Sequence, residues 1–349
     1  MKKLITVIII AVLVIGGVNV YYNISNNNTP PVFLKENTYN NKKYIIIKAG
    51  NVATSVDTLE EAKVEAAKLD RAIAVNTMTN EWVYSDFNPF LIITEGIVHD
   101  FKNFKDAIYY AKNNKQDKVY FKNSNNIIWD KNYINKYKEL YELDSTDINK
   151  LVLDVKLINQ YPELPRGCEV TSLAMLLDYS GQNIDKMTLA KEIKKDSTEY
   201  KIGEEGRVYY GNPYDGFVGD MYNLSKNGYG VYHGPIVELA KKYVGERVVD
   251  LTGSSFEDIV YLLTKGYPVL VITNAEYRAL EDQYFDIWHT PTGIVKTTSK
   301  LHSVVMTGID SSSIYINDPL SSIENRKVDI KKFRSAWEQM GNQAIVILD

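Results

Sequence analysis

Cys168 is the only cysteine in the chain's 349 residues. It stands in Leu164-Pro-Arg-Gly-Cys168-Glu-Val-Thr-Ser-Leu-Ala-Met-Leu-Leu177, where a tight turn opens a helix. A helix N-terminus offers unpaired N–H groups and the positive end of the macrodipole, and both stabilise a thiolate. Thiol attack on a carbonyl also needs a base, a group to orient that base, and donors for the oxyanion that forms. Four histidines are available. His302 heads His302-Ser-Val-Val-Met-Thr-Gly-Ile-Asp310, an alternating strand pattern with the ring at its mouth. Ile314-Tyr-Ile-Asn317-Asp318-Pro319 follows as a second short strand, and Asp310 to Ser313 suit a hairpin turn. In such an antiparallel pair Asp318 or Asn317 returns close to His302 and can orient its imidazole.

The elements that must hold these groups are legible around them. Val170, Leu173, Ala174, Leu176 and Leu177 give the Cys168 helix an apolar face, and Tyr179-Ser-Gly181 ends it. The loop before it, Asn159-Gln160-Tyr-Pro-Glu-Leu-Pro165-Arg-Gly167, is punctuated by prolines and carries Gln160. Gly266-Tyr-Pro-Val-Leu-Val-Ile272 reads as the central strand of the sheet behind the histidine. His233, in Tyr232-His-Gly-Pro, and His289, in Trp288-His-Thr-Pro, read as loop or cleft-rim residues, and His99 carries no assigned chemistry. Glu169 is expected to face solvent or a salt bridge, because its charge turned inward would oppose a thiolate. With one cysteine and no close cluster of histidines or carboxylates, neither a disulfide nor a metal site is expected. No cofactor is implied.

The composition is globular, 45% hydrophobic and 24% charged. A net charge of −4 gives no global basic footprint, so nucleic acid is set aside as a partner. Lys2 and Lys3 precede an apolar run from Leu4 to Val20, at the short end of the roughly 17 to 25 residues a membrane span needs. The lysines belong in the cytoplasm and Tyr21 and Tyr22 at the outer interface, so the rest of the chain faces outward. Residues 1–22 thus read as a signal anchor. A cleaved signal peptide is the rival, against which stand the length of the run and the lack of an Ala-x-Ala site. A lipoprotein is excluded, since no cysteine lies near the end of the segment.

Residues 23–42 form a polar linker headed by Asn23-Ile-Ser-Asn-Asn-Asn-Thr-Pro-Pro31. Residues 43–135 repeat. A spacing of about 46 residues separates Gly50 from Gly96, Ala62 from Ala107 and Trp82 from Trp129, which predicts two strand-helix-strand-strand units. The tryptophans are read as core. Glu139 to Asp147 mark a charged boundary before a second domain over 150–349.

Together, the Cys168 segment, the His302 strand and the Asn317-Asp318-Pro319 turn resemble the papain-like cysteine peptidases of the bacteriocin-processing, double-glycine-leader type, in their stand-alone peptidase C-39-like branch. The segments Asp215-Gly-Phe-Val-Gly219, Gly228-Tyr-Gly-Val-Tyr232, Asp250-Leu-Thr-Gly253, Gly266-Tyr-Pro-Val269 and Trp288 to Gly293 also look like that branch. The resemblance covers roughly residues 150 to 349 and leaves the repeat half outside it. It implies an α+β papain-like fold with Cys168 as nucleophile, His302 as general base and acid, and Asp318 as the orienting residue. It further implies Gln160 as an oxyanion donor beside the Cys168 backbone N–H. Leader-processing members carry Asp-Cys-Gly where this chain has Gly167-Cys168-Glu169.

The reading that results is an exported, membrane-tethered cysteine peptidase acting on a peptide or protein substrate, with the repeat module free to meet a cell-surface partner. Rigid aromatics near a cleft favour peptide contact, so Trp288 and Tyr232 are expected to line the groove, and Gly167, next to the nucleophile, is expected to bind substrate with them. Two competitors remain. One is a catalytically idle peptide-binding module of the same fold; the other is a thiol-dependent acyl transferase of transglutaminase-like chemistry.

Overall fold

Alternating side chains give a strand two faces, and in β1 (Tyr44–Lys48) both are covered. Ile45 and Ile47 pack with Ile73, Val75 and Trp82, while Tyr44 and Ile46 pack with Ala62, Ala66 and Ala74. The alanines let helix α1 (Leu59–Ala67) lie close to the sheet. Thr58 starts that helix with a capping box: its hydroxyl accepts from Glu61 N–H and its own N–H donates to the Glu61 carboxylate, both at 3.2 Å. With β2 (Asn51–Val56), β3 (Ala72–Asn76) and β4 (Trp82–Ser85) the sheet runs β2-β1-β3-β4.

The chain then runs β5 (Phe90–Thr94), β6 (Ile97–Phe101), α2 (Phe104–Asn113), β7 (Lys118–Phe121) and β8 (Asn126–Asp130), with sheet order β6-β5-β7-β8. Helix α3 (Lys131–Glu142) follows. Trp82 and Trp129 are both buried, as core residues should be. The strands β2 and β6 add one strand per copy to the pattern expected from sequence; they are half exposed and carry no apolar run to announce them.

In this computed structural model the described residues are 42–49, 51–79, 81–94, 97–122, 126–142 and 150–349. The expected anchor at 1–22, the linker to residue 41, Gly50, Gly96 and residues 143–149 of the charged boundary lie outside them. Among the described residues no helix is long and apolar enough to cross a membrane. The chain divides into two compact units, one running to Phe101 with Tyr120–Ile127, the other Lys102–Val119 with Ile128–Asp349.

In the second unit Trp129 Nε1 donates to Asp258 Oδ1 at 2.9 Å, so the indole is anchored by its polar edge as well as its rings. From there come β9 (Leu151–Val152), α4 (Cys168–Tyr179), α5 (Lys186–Glu192), β10 (Lys195–Asp196), β11 (Lys201–Ile202), β12 (Val208–Tyr209) and β13 (Phe217–Val218). Helix α6 (His233–Val244), β14 (Val248–Asp250), α7 (Phe256–Thr264) and β15 (Val269–Asn274) follow. The chain closes with β16 (Asp286–Thr290), β17 (Gly293–Thr297), β18 (Leu301–Ile309), β19 (Ser313–Asn317), β20 (Arg326–Asp329), α8 (Ile330–Gln339) and β21 (Ala344–Ile347).

The main sheet has the order β14-β21-β15-β18-β19-β20, with β9 pairing to β18. Every residue of β15 is buried, and it sits between β21 and β18, as expected of the central strand. A smaller sheet runs β11-β12-β16-β17. The architecture is mixed α and β, with α4 packed against β18 and β15.

Candidate active site

Helix α4 begins at Cys168, with Gly167 at its N-cap. Gly167 has a packing reason to be glycine, since a Cβ there would lie 2.5 Å from Leu164 Cβ. All residues from Cys168 to Leu177 are buried, so the helix is enclosed all round. That corrects one expectation: Glu169 is 1% exposed, facing neither solvent nor a salt-bridge partner. Its Oε1 accepts from Val231 N–H at 3.1 Å, while Oε2 accepts no hydrogen bond from any described group.

The Cys168 thiol is pushed well above its ordinary value, first by burial and then by the charge and contact of Glu169; the Ser303 backbone N–H works against this rise. Burial also lifts the Glu169 carboxyl, to about 7, against the pull of its backbone donors.

His302 opens β18, opposite Thr273 of β15, and Asp318 follows the end of β19. His302 Nε2 meets Asp318 Oδ1 at 2.7 Å, with the two side chains only 3% and 5% exposed. Asn317, the alternative orienter, is directed elsewhere: its side-chain amide donates to the Val155 carbonyl and its oxygen accepts from Asn325 N–H. Asp318 collects further donors. Tyr277 OH reaches Oδ2 at 2.7 Å, Leu320 N–H reaches Oδ1 at 2.9 Å, and Arg326 Nη1 lies 3.2 Å from Oδ2. Burial alone would raise this carboxyl, but His302, Tyr277 and the Leu320 N–H bring it down to about 2.

Tyr277 escaped the sequence reading. It is a buried aromatic held at φ 51°, a left-handed conformation that costs a non-glycine residue about 1–2 kcal/mol. Its ring stacks on Phe333 and lies 6.2 Å from the His302 ring, so it supports both members of the pair.

Cys168, His302, Gln160 and Trp288 line one cavity of about 490 Å³ together with Arg166, Tyr200, Tyr210 and Tyr229. Trp288 is packed by Tyr210 at 5.2 Å and Tyr229 at 4.8 Å between ring centroids. Tyr232 is behind this wall; its hydroxyl meets that of Tyr229 at 3.0 Å, and Tyr229 is the residue that faces the cavity. Gln160 is brought to the site by its own N–H, which donates to the Pro319 carbonyl at 3.0 Å. Its side-chain Nε2 donates to the carbonyls of Leu164 and Pro165 at 3.1 and 2.9 Å, and its Oε1 accepts from no described group.

His233 lies away from this cavity, with its Nδ1 2.7 Å from Asp250 Oδ2. His289 is in β16, its ring 5.3 Å from that of Tyr209.

The site thus sets a thiol at a helix start and a carboxylate-anchored imidazole from a sheet on one cavity. Residues 152–345 match the model of the Peptidase_C39 like family, and the chain belongs to that family. It is similar to the uncharacterized protein YvpB of Bacillus subtilis (strain 168), 47% identical over 197 residues, which is 56% of this chain and 75% of that protein. It is also similar to a crystal structure from Bacillus anthracis described as a provisional C39-like peptidase. The identity there is 48% and the TM-score 0.54, covering 58% of this chain and 98% of the other.

Proposed function

We propose that this protein is a cysteine peptidase that hydrolyses peptide bonds through a thioester on Cys168. The observation that carries this reading is the buried His302–Asp318 pair, whose His302 lines the cavity that Cys168 also lines. With Nε2 engaged by Asp318, Nδ1 is the ring nitrogen left to take the thiol proton. The sulfur attacks the scissile carbonyl, His302 passes the proton to the departing amine, and the C–N bond breaks to leave the thioester. Water then attacks, giving a proton to His302, and the acid leaves as the thiol is restored.

The negative charge of each tetrahedral intermediate falls to the Cys168 N–H at the start of α4 and to Gln160. Gln160 must release one of its two backbone carbonyls to donate there, a rearrangement that substrate entry would drive. Trp288, flanked by Tyr210 and Tyr229, serves as the platform for the peptide. The Lys2-Lys3 pair and the Leu4 to Val20 run support display of these domains outside a cell membrane, with the repeat module over 43–135 available to a surface partner.

The test is a peptide library incubated with the full chain and with Cys168→Ala, read by mass spectrometry. Cleavage by the former alone supports the proposal, and equal traces from both would refute it. Adding a primary amine separates acyl transfer from hydrolysis, because a transferase would yield the amine conjugate. One observation favours the idle peptide-binding reading: the thiol is buried, and burial with the neighbouring Glu169 carboxyl pushes its pKa upward. That reading predicts peptide retention without cleavage by either protein.

A further inference from the structure

Glu169 is the one buried carboxylate at the site that the reaction leaves without a task. Its surroundings are built around it. The Gly230–Val231 backbone lies against the carboxylate, and a Cβ on Gly230 would stand 2.2 Å from Oε1, so a side chain there would push the carboxylate out of its place. Val231 N–H supplies a single hydrogen bond, and no cation answers the charge: Glu169 forms no ion pair among the described residues. Arg166, on the same approach loop, donates to the carbonyls of Asp220, Asn223 and Leu224.

The titratable groups that face Glu169 are Cys168 on its own helix and Tyr229 and Tyr232 from the segment leading into α6. His302, from β18, lines the same cavity as Cys168, and its partner Asp318, from the turn after β19, also acts on the thiol. The tyrosines are neutral at any physiological pH, because burial pushes both upward. Glu169 and Cys168, both buried, are therefore left to compete for one negative charge, and like charges oppose each other more strongly where burial lowers the dielectric.

We propose that Glu169 governs the protonation of Cys168. As a neutral carboxylic acid it can donate its O–H to sulfur and let the thiol proton pass to His302; as a carboxylate it keeps that proton on sulfur. The carboxyl's position near 7 places the changeover at neutral pH. The reactive thiolate is then favoured on the acid side and opposed on the alkaline side. This assignment rests on the thiol chemistry proposed above, but it is tested without peptide turnover.

The experiment is the rate of iodoacetamide alkylation of Cys168 against pH, in the full chain and in Glu169→Gln, which keeps the bond to Val231 N–H. A free thiol gains about tenfold in rate per pH unit below its pKa. The wild-type rise is expected to be shallower than that across neutral pH. Glu169→Gln is expected to restore the full slope and to react about tenfold faster near pH 8. A wild-type profile that climbs at the full slope through neutrality overturns the proposal whether or not the variant folds, as does an unchanged profile in a folded variant. If the profiles differ as expected and neither protein cleaves peptides, the peptidase reading fails and the Glu169 assignment stands.

Discussion

The two sides of the cleft treat buried charge in opposite ways. On the sheet side, the Asp318 carboxylate receives His302, Tyr277, Leu320 N–H and Arg326, and its affinity for a proton falls. On the helix side, Glu169 receives backbone N–H donors and, among the described residues, no cation; burial outweighs the donors, and its affinity for a proton rises. Both carboxylates have almost no exposed surface, and the number of partners separates them: burial dominates at Glu169, while donors outweigh it at Asp318. The His302 ring is thus fixed in orientation by its carboxylate partner, while the Cys168 thiol is pushed upward by burial and by the Glu169 carboxyl.

Breaking the settled side has the largest consequence. Asp318→Asn removes the acceptor that holds the imidazole, and kcat is expected to fall by about 10²–10⁴ with KM little changed, read by steady-state kinetics on a cleaved library peptide. The same carboxyl sets an acid limb of stability. Because its folded value is depressed, its contribution is complete above the ordinary carboxyl range and disappears as pH falls toward about 2. Acid unfolding of Asp318→Asn should lack that limb.

Relieving the unsettled side should work in the other direction. The Glu169 value is raised from 4.5 to about 7, so the cost of burying it is absent below 4.5 and grows as pH rises to neutrality. Glu169→Gln should match the wild type in acid and exceed it in alkaline solution by on the order of 3 kcal/mol, measured by urea unfolding at each pH. A smaller effect is expected from Tyr277→Phe, which deletes one hydrogen bond to a charged acceptor, worth about 1.5–3 kcal/mol. Its thermal midpoint should drop by about 5 °C. Smallest is Trp288→Ala, which removes a contact platform and not a charge. KM should rise roughly tenfold while kcat is kept, and unchanged kinetics would remove Trp288 from the groove.

The settled side was also the legible one. His302 at the head of an alternating strand and Asp318 at the end of the paired strand are local patterns, and antiparallel pairing of β18 with β19 brings them together; on the helix side only the helix start at Cys168 was as plain. Sequence left Asn317 and Asp318 open, and the Asn317 amide resolves the choice by turning to Val155 and Asn325. The unsettled side was misread because it depends on what covers the helix. An acidic residue at the first turn normally faces water, and only the Gly230–Val231 segment laid over α4 encloses Glu169. Tyr229 and Tyr232 differ by three positions, and nothing in their spacing says which one meets the cavity. Tyr277 sits in a loop whose left-handed turn at a non-glycine residue leaves no pattern in the sequence. The edge strands β2 and β6 stayed hidden for a simpler reason: half exposed, they have little apolar surface to show.

The most direct measurement is intact mass of the full chain after brief reaction with an activated peptide ester and an acid quench. A single acyl adduct is predicted, mapping to Cys168, absent in Cys168→Ala and much slower to form in His302→Ala. An unmodified Cys168 under conditions where the peptide ester is bound would contradict the thiol mechanism and leave a fold that holds peptides without cutting them.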